Sequence, residues 1–488
     1  MASILNQLYK FVIGETSRYF DKDIAYSKKA GMYVYKLINF EPDDEEGKLR
    51  VCKGLEKVIR VPSNEKIVNF KFSRDDNGVQ HLTVVSGNKL YEIFDWDTSP
   101  RAELRANDIG DGYVSIIPVT DKDYSGGTYT EYLAILDGGN PRKYDYNSLS
   151  SLSTNHNARL GLYVNDRLIT NDEDEKALVH WSKAGSIFVP YDNTTHVIIA
   201  KRDEMHAIYG TSSTEFGQYE LNIGTCGTRS PQGLVQVGQE IFILHDTEIK
   251  RYSTLRSQGI LKEDALVADI YKFWKDEVNK EQLENGLIIK DNLDKKIYFM
   301  CSKDDLNINN SSFVYAGDGK WYERLFNNIG ITAWDVDPQT NIVYVGDDSG
   351  NVYKFNVGYN YDGQGYRCYI DYGLNDMKTK YSKVGTIDSY LDIEFSDSFS
   401  LDLSMIKFNK NGNIINSEIK TLDYNDKRSR YDRSNYDNNY YISVVNERKN
   451  IKLGVFDTIQ TKIVYNNINS VGFKINELSL NATQGYLS

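Results

Sequence analysis

Short apolar runs alternate with Gly, Asp and Asn turns along most of this chain, with the period of two that a half-buried strand requires. From Lys66 to Ser73, Val68, Phe70 and Phe72 alternate with Asn69 and Lys71, and the run Leu82 to Val85 follows beyond Asn77-Gly78. Asn-Gly between two such runs predicts a hairpin in which both turn residues accept positive φ. A second turn follows at Gly87-Asn88, leading into Leu90, Tyr91 and Ile93.

The same phrase recurs: an apolar run, a polar turn, then a strand carrying Tyr. It appears as Leu133 to Leu136, Asp137-Gly138-Gly139 and Tyr144, and again as Ile241 to Leu244, His245-Asp246, Ile249 and Tyr252. Ile342 to Val345 leads through Asp347-Asp348-Ser349-Gly350 to Val352, Tyr353 and Phe355. Leu287 to Lys290 with Ile297 to Met300, and Phe313 to Tyr315 with Trp321 and Tyr322 across Gly317-Asp318-Gly319, complete the set. Spacing of roughly 40 to 60 residues between phrases is that of four-stranded propeller blades. There is no WD dipeptide at fixed offsets.

Two segments depart from this pattern. Across Asp264 to Glu284, Leu266, Ile270, Phe273 and Trp274 fall at helical spacing, which predicts one inserted helix. After Tyr359 to Gly365 a different series of strands begins: Arg367 to Tyr372, Ser389 to Phe395, Ser400 to Phe408, Ile442 to Val445, Ile463 to Val464 and Val471 to Leu480. That series resembles a separate β-sandwich of about 120 residues. The expected fold is therefore all-β, a β-propeller followed by a C-terminal β-sandwich with one inserted helix. Its expected divisions are an N-terminal arm and first strands over 1–50, the propeller over 51–360 and the sandwich over 361–488.

Composition agrees with pleated, half-buried surfaces: 37 Tyr and 19 Phe stand against 5 Trp, and aromatic residues make up 12% of 488. With 8 Pro and 36 Gly, no long disordered or collagen-like region is expected. The net charge of −12 argues against a protein whose main task is gripping phosphate backbones. Cys52, Cys226, Cys301 and Cys368 are far apart, with no C-x-x-C pair, and read as buried thiols in a reducing compartment. Lys10, Glu15 and Arg18 interrupt the apolar run between Met1 and Phe20, so neither a signal peptide nor membrane insertion is expected. The sequons at Asn193, Asn309, Asn310 and Asn481 then read as chance occurrences.

Reactive chemistry has little foothold. The six histidines, at 81, 156, 180, 196, 206 and 245, never reach metal-ligand spacing, and there is no G-x-S-x-G, P-loop or G-x-G-x-x-G after a strand. Acidic clusters are abundant at Asp43 to Glu46, Asp172 to Glu175, Asp75-Asp76 and Asp335 with Asp337. A glycosidase would set two such carboxylates across a sugar, whereas solvated loop acids are the plainer reading. Asp347-Asp348-Ser349-Gly350 lacks the alternating spacing and terminal Glu of a calcium loop, so a turn is expected. No catalytic residue, cofactor or metal is assigned.

Interface residues are the better candidates. Asp423 to Asn439 reads as an exposed excursion in which Lys427, Arg428, Arg430, Tyr431 and Arg433 interleave with Asp, the mixture of a contact loop. Tyr33, Val34 and Tyr35, beside Asp43 to Glu46, would suit a strand exchanged with a neighbour.

The order of these features resembles the packaged-DNA stabilisation or tail hub (nozzle) family of short-tailed bacteriophages. Lys53-Gly54-Leu55-Glu56 is similar to that family's basic-Pro-Gly-Leu segment, with Lys in place of Pro. Asn165-Asp166-Arg167-Leu168 with Val179-His180-Trp181-Ser182 follows, then Val197 to Ala200, Arg202-Asp203 and Ala207-Ile208-Tyr209-Gly210 to Thr214-Glu215. The predicted helix, Gly319 to Trp321, and Val471-Gly472-Phe473-Lys474-Ile475 come next in the family's order. The likeness runs from about Val51 to Leu480 and rests on the line-up of short motifs.

The resemblance implies a structural virion protein, localised to the tail and assembled in the host cytoplasm. It would form a homo-oligomeric, sixfold ring below the portal and adaptor proteins, carry the tail needle or fibres, and pass double-stranded DNA without sequence-specific binding. A carboxylate-lined lumen would keep the duplex sliding. The competing expectations are a carbohydrate-binding or glycoside-cleaving propeller, and a propeller serving as a protein-interaction platform.

Overall fold

The computed structural model describes residues 6–10, 36–43, 48–122, 129–152, 157–164, 167–170, 187–188, 195–200, 205–209, 217–220, 227–238, 240–255, 260–265, 270–304, 306–317, 320–375, 383–385, 389–425, 445–453, 455–456, 458–468 and 470–484. Nearly all of the regular structure is β. Strands that follow one another in sequence pair antiparallel into four-stranded meanders, some joined by short turns of the kind the sequence marks, such as Gly87-Asn88 between Gln80–Ser86 and Lys89–Phe94.

Meander I comprises Ile67–Arg74, Gln80–Ser86, Lys89–Phe94 and Arg101–Ala106. Meander II comprises Ser115–Lys122, Tyr129–Leu136, Arg142–Tyr144 and Leu149–Ser151. A two-stranded hairpin, Gly161–Val164 with Arg167–Thr170, comes next. Meander III then spans 187–220, meander IV 234–265 and meander V 287–325. The last sheet, VI, takes Ile331–Val336, Val343–Asp347 and Asn351–Phe355 from this part of the chain. Its fourth strand is Leu55–Arg60, which precedes meander I in sequence and pairs antiparallel with Asn351–Phe355.

Neighbouring meanders pack face on face. Phe70, Phe72, Leu82 and Ile93 of meander I share a core with Ala333, Tyr344 and Val352 of sheet VI. Val85 and Leu90 on its other face pack with Val114, Ile116, Leu133 and Tyr144 of meander II. Ile117, Tyr132 and Leu136 of meander II in turn meet Tyr163 and Leu168 of the hairpin. Meander III packs on IV through Ile198, Met205, Ile241 and Tyr252, and one large cluster joins IV, V and VI. First strands line up accordingly: I against II, II against the hairpin, IV against V, V against VI, and VI back against I. Second strands such as Lys296–Cys301 are covered on both faces, which explains why they read as unbroken apolar runs.

Gly54 shows how tightly the closing strand is fitted. Its N–H donates to Gly358 O at 2.8 Å, and a Cβ there would lie 1.8 Å from the backbone oxygen of Asn360. Only glycine allows the backbones of 54 and 360 to approach this closely.

Two larger sheets complete the molecule. Meander V continues through Lys36–Ile38, parallel to Trp321–Leu325, into Arg367–Asn375, Thr458–Asn466, Phe399–Phe408 and Ile414–Tyr424. The second sheet gathers Asn6–Lys10, Phe40–Pro42, Leu49–Val51, Lys383–Gly385, Tyr390–Phe395, Val445–Asn450 and Val455–Phe456 with the long strand Phe473–Gln484. They share an aromatic core in which Phe399 stacks on Phe473 at 4.3 Å and on Tyr424 at 5.1 Å, with Tyr465 edge-on to Phe473. Strands within 36–51 thus pair with meander V and with the C-terminal strands.

Two expectations are corrected, and one strand was not expected. The helix over Asp264 to Glu284 is not one element: Ile260–Ala265 is the outer strand of meander IV, an α-helix spans Tyr271–Glu277, and a 3-10 helix spans Lys280–Asn285. Pairing with Ile249–Leu255 claims the first residues, and Val278 and the capping Asn279 are extended, so the helical spacing is cut at both ends. The turn at Asn77-Gly78 is a five-residue loop in which Gly78 alone has positive φ, while Asp75 accepts hydrogen bonds from Asn77 N and Val79 N. Ile414–Tyr424 is a strand that the hydrophobic pattern does not announce, because its first residues are exposed on both faces.

Candidate functional site

All of the interface residues expected from sequence, Tyr33, Tyr35, Lys427, Arg428, Arg430, Tyr431 and Arg433, lie outside the described residues. The described elements bordering them are Lys36–Ile38 on one side and Ile414–Tyr424 and Val445–Asn450 on the other.

The acidic clusters resolve into anchors for turns and seams. Asp347 accepts from Ser349 N and Asn351 N, and from the Asn351 amide and Tyr353 hydroxyl, so the calcium-like segment is a turn. Asp137, Asp145, Asp291 and Asp337 each accept backbone N–H groups in the same manner. Asp335 also pairs with Lys71 at 2.7 Å and Asp337 with the Gln80 amide at 2.7 Å, fastening sheet VI to meander I. Asp44 to Glu46 and Asp172 to Glu175 lie outside the described residues.

A buried charged junction, absent from the sequence reading, lies where 36–51, meander V and sheet VI meet. Glu41 is 3% exposed and sits between Arg50 Nε at 2.6 Å and Lys296 Nζ at 2.8 Å, with the Tyr322 hydroxyl donating at 3.0 Å. Burial alone would raise the Glu41 carboxyl, but Lys296 and Arg50 outweigh it and hold the group down at about 2. Deeper in, Arg324 is fully buried; it donates to Lys53 O at 2.6 Å and to Asn356 Oδ1, with the Phe326 and Phe355 rings 4.8 and 4.9 Å away. Asn356 passes the network on to Asp291 at 2.7 Å and the Tyr298 hydroxyl at 2.9 Å. Asn39, at φ 56, donates to Arg367 O at 2.7 Å and accepts from Leu325 N at 3.0 Å.

The helix Tyr271–Glu277 is tied to the same region. Glu277 meets Lys36 at 3.2 Å and also Lys303, which reaches Glu323 at 2.5 Å. Burial opposes the charge on Glu277, yet the two lysines lower its pKa overall. A shallow polar depression beside the helix is lined by Asp276, Asn279, Lys280 and Asp304.

A second polar cluster spans meanders I and II. His81 contacts Glu92 through Nδ1 and Asp75 through Nε2 at 3.5 Å, and its ring stacks on Tyr146 at 4.3 Å. Glu92 also accepts from Arg105 at 3.0 Å and the Tyr144 hydroxyl at 2.9 Å. Burial disfavours the imidazolium, but Glu92 and Asp75 together raise its pKa.

Both clusters bind one sheet to another. Among the described residues no group of three or more His, Cys, Asp or Glu is placed to hold a metal ion, and no helix is long and apolar enough to cross a membrane. Cys52, Cys301 and Cys368 are buried free thiols, and burial pushes Cys301 up to about 12 and the other two well above their usual value. Cys226 lies outside the described residues.

Exposed aliphatic side chains are also found on the C-terminal sheets. Ile414, Ile415 and Ile419 are 63%, 53% and 70% exposed on the edge strand Ile414–Tyr424, and Val455 is 50% exposed. Sequence offers little signal for the junction, because Glu41, Arg50, Lys296 and Arg324 come from distant segments and only their position inside apolar strands is unusual. No family model matches this chain, and no curated protein matches its sequence.

Proposed function

We propose that this chain is a structural component of a bacteriophage tail, one copy in a homo-oligomeric hub or nozzle ring below the portal and adaptor proteins. In this reading the meanders form a β-propeller closed by Leu55–Arg60, and the two C-terminal sheets form a β-sandwich. The ring retains packaged DNA, forms part of the ejection channel, and carries a needle or fibres. The observation that supports it most is the mutual fastening of these parts. Strands within 36–51 pair with both the meanders and the C-terminal sheets, and Glu41, Arg50, Lys296 and Arg324 lock that junction with buried charge. Such a body transmits force as one piece, which a tail part needs. The order of motifs along the chain supports the same assignment, and the net charge of −12 suits a channel that repels passing duplex.

Native mass measurement with negative-stain imaging tests this reading. A closed ring with an axial channel, which leaves duplex DNA unshifted on a gel at about 0.1 M salt, is expected. A monomer that binds oligosaccharide would overturn it in favour of a carbohydrate-binding propeller.

A further inference from the structure

The strand Asn6–Lys10 holds to the molecule by a single seam. It pairs antiparallel with residues 479–483 of the long C-terminal strand, Leu8 opposite Asn481, and with no other strand among those described. The other side of that long strand is occupied by Lys383–Gly385 and Tyr390–Phe395. On the seam side, among the described strands, Leu49–Val51 alone also reaches it, at Lys474 and Ile475. Without Asn6–Lys10, residues 479–483 would therefore present an open sheet edge, whose N–H and C=O groups recruit a strand from wherever one is offered.

Among the described residues, no pairing other than this seam holds that strand to its own copy. Residues 11–35 join it to Lys36, and a segment of that length reaches about 80–90 Å when extended. A compact chain of this size has a radius of gyration of about 23 Å, so the arm can reach beyond its own protomer. The rest of the fold is complete without it. Sheet VI is closed by Leu55–Arg60, and 36–51 are anchored by their own pairings and by Glu41 and Asn39. Ordering this five-residue strand costs the same chain freedom whichever copy supplies the edge, so that cost does not tie it to its own copy. Passed to the next copy, the same five pairs tie neighbours together, and a head-to-tail exchange closes when the ring closes.

We propose that Asn6–Lys10 is an exchanged strand, completing the edge at 479–483 of the adjacent copy with the register seen here. This rests on the ring reading above and adds the segment that links its members.

Paired cysteines test it in the full chain. Gln7→Cys with Ala482→Cys, and Leu8→Cys with Asn481→Cys, occupy consecutive cross-strand positions, so one of the two pairs is the closer, non-hydrogen-bonded kind that a disulfide can span. The described native thiols are buried, and each single-cysteine variant serves as the control. Mild oxidation of at least one double variant should give, on a non-reducing gel, a ladder of linked copies ending at the ring's own number, collapsing to one band on reduction. Cross-links confined to single chains in a particle that remains multi-copy would overturn the exchange and leave the ring standing. A monomer at all working concentrations would overturn both. No cross-link from either pair in an intact ring would overturn the seam itself.

Discussion

Replacing Glu41 by Gln tests whether the buried junction holds the N-terminal strands to the rest of the molecule. The substitution keeps the shape of the side chain and removes its charge, leaving Lys296 7% exposed with Asp294 at 4.0 Å as its nearest remaining carboxylate partner. Two routes give the size of the effect. Lowering the Glu41 carboxyl from 4.5 to about 2 corresponds to about 3 kcal/mol of stability at neutral pH. Removing one partner of a buried ion pair typically costs about 3–5 kcal/mol. Because the folded-state pKa is depressed, this stabilisation is fully present above pH 4.5 and is lost as pH falls towards 2. The assay is urea unfolding followed by Trp fluorescence, since Trp321 is fully buried beside Tyr322, at pH 7 and at steps down to pH 3. The Glu41→Gln variant should unfold at lower urea and show a shallower acid dependence than the native chain. Adding Lys296→Met should recover part of the loss, because an apolar replacement removes the stranded charge. A Glu41→Gln effect under about 1 kcal/mol, or a double variant no more stable than the single one, would refute the reasoning.

Two further substitutions probe the seams. Gly54→Ala drives a Cβ against Asn360 O and should destabilise the closure of sheet VI by about 1–3 kcal/mol; unchanged hydrogen-exchange protection across Leu55–Arg60 would contradict this. His81 should titrate above its usual value of 6.5 by NMR. Because its folded pKa is raised, its contribution to stability is present below 6.5 and fades as pH rises through the folded value. Glu92→Gln should return the His81 titration towards 6.5, and a titration that stays put would remove Glu92 as its main partner.

The repeated hairpins were legible because their second strands are covered on both faces. Leu133 to Leu136, Ile241 to Leu244 and Ile297 to Met300 are unbroken apolar runs flanked by turn residues, and each lies inside an observed strand. The helix was misjudged because the span chosen for it begins inside the paired strand Ile260–Ala265 and runs through the extended Val278 and Asn279, leaving Tyr271–Glu277 as the α-helical part. The pairing of the strands in 36–51 was illegible for another reason. Their partners Trp321–Leu325, Arg367–Asn375 and Phe473–Gln484 lie hundreds of residues away, and a three-residue strand leaves too short a pattern to detect. Turn-anchoring acids such as Asp347 were partly legible, since Asp followed by Ser and Gly is a turn signature whatever else it resembles.

The strand Leu55–Arg60 has a consequence during synthesis. It leaves the ribosome before any of the meanders, yet the strand it pairs with, Asn351–Phe355, emerges about 300 residues later. At about 5–20 residues per second the early strand waits about 15 to 60 s with its edge unpaired. Long-range closure of this kind is slow even once both strands exist. A chain truncated before 351 therefore carries an open strand at its start and no means of covering it, the form most exposed to mispairing with other nascent copies.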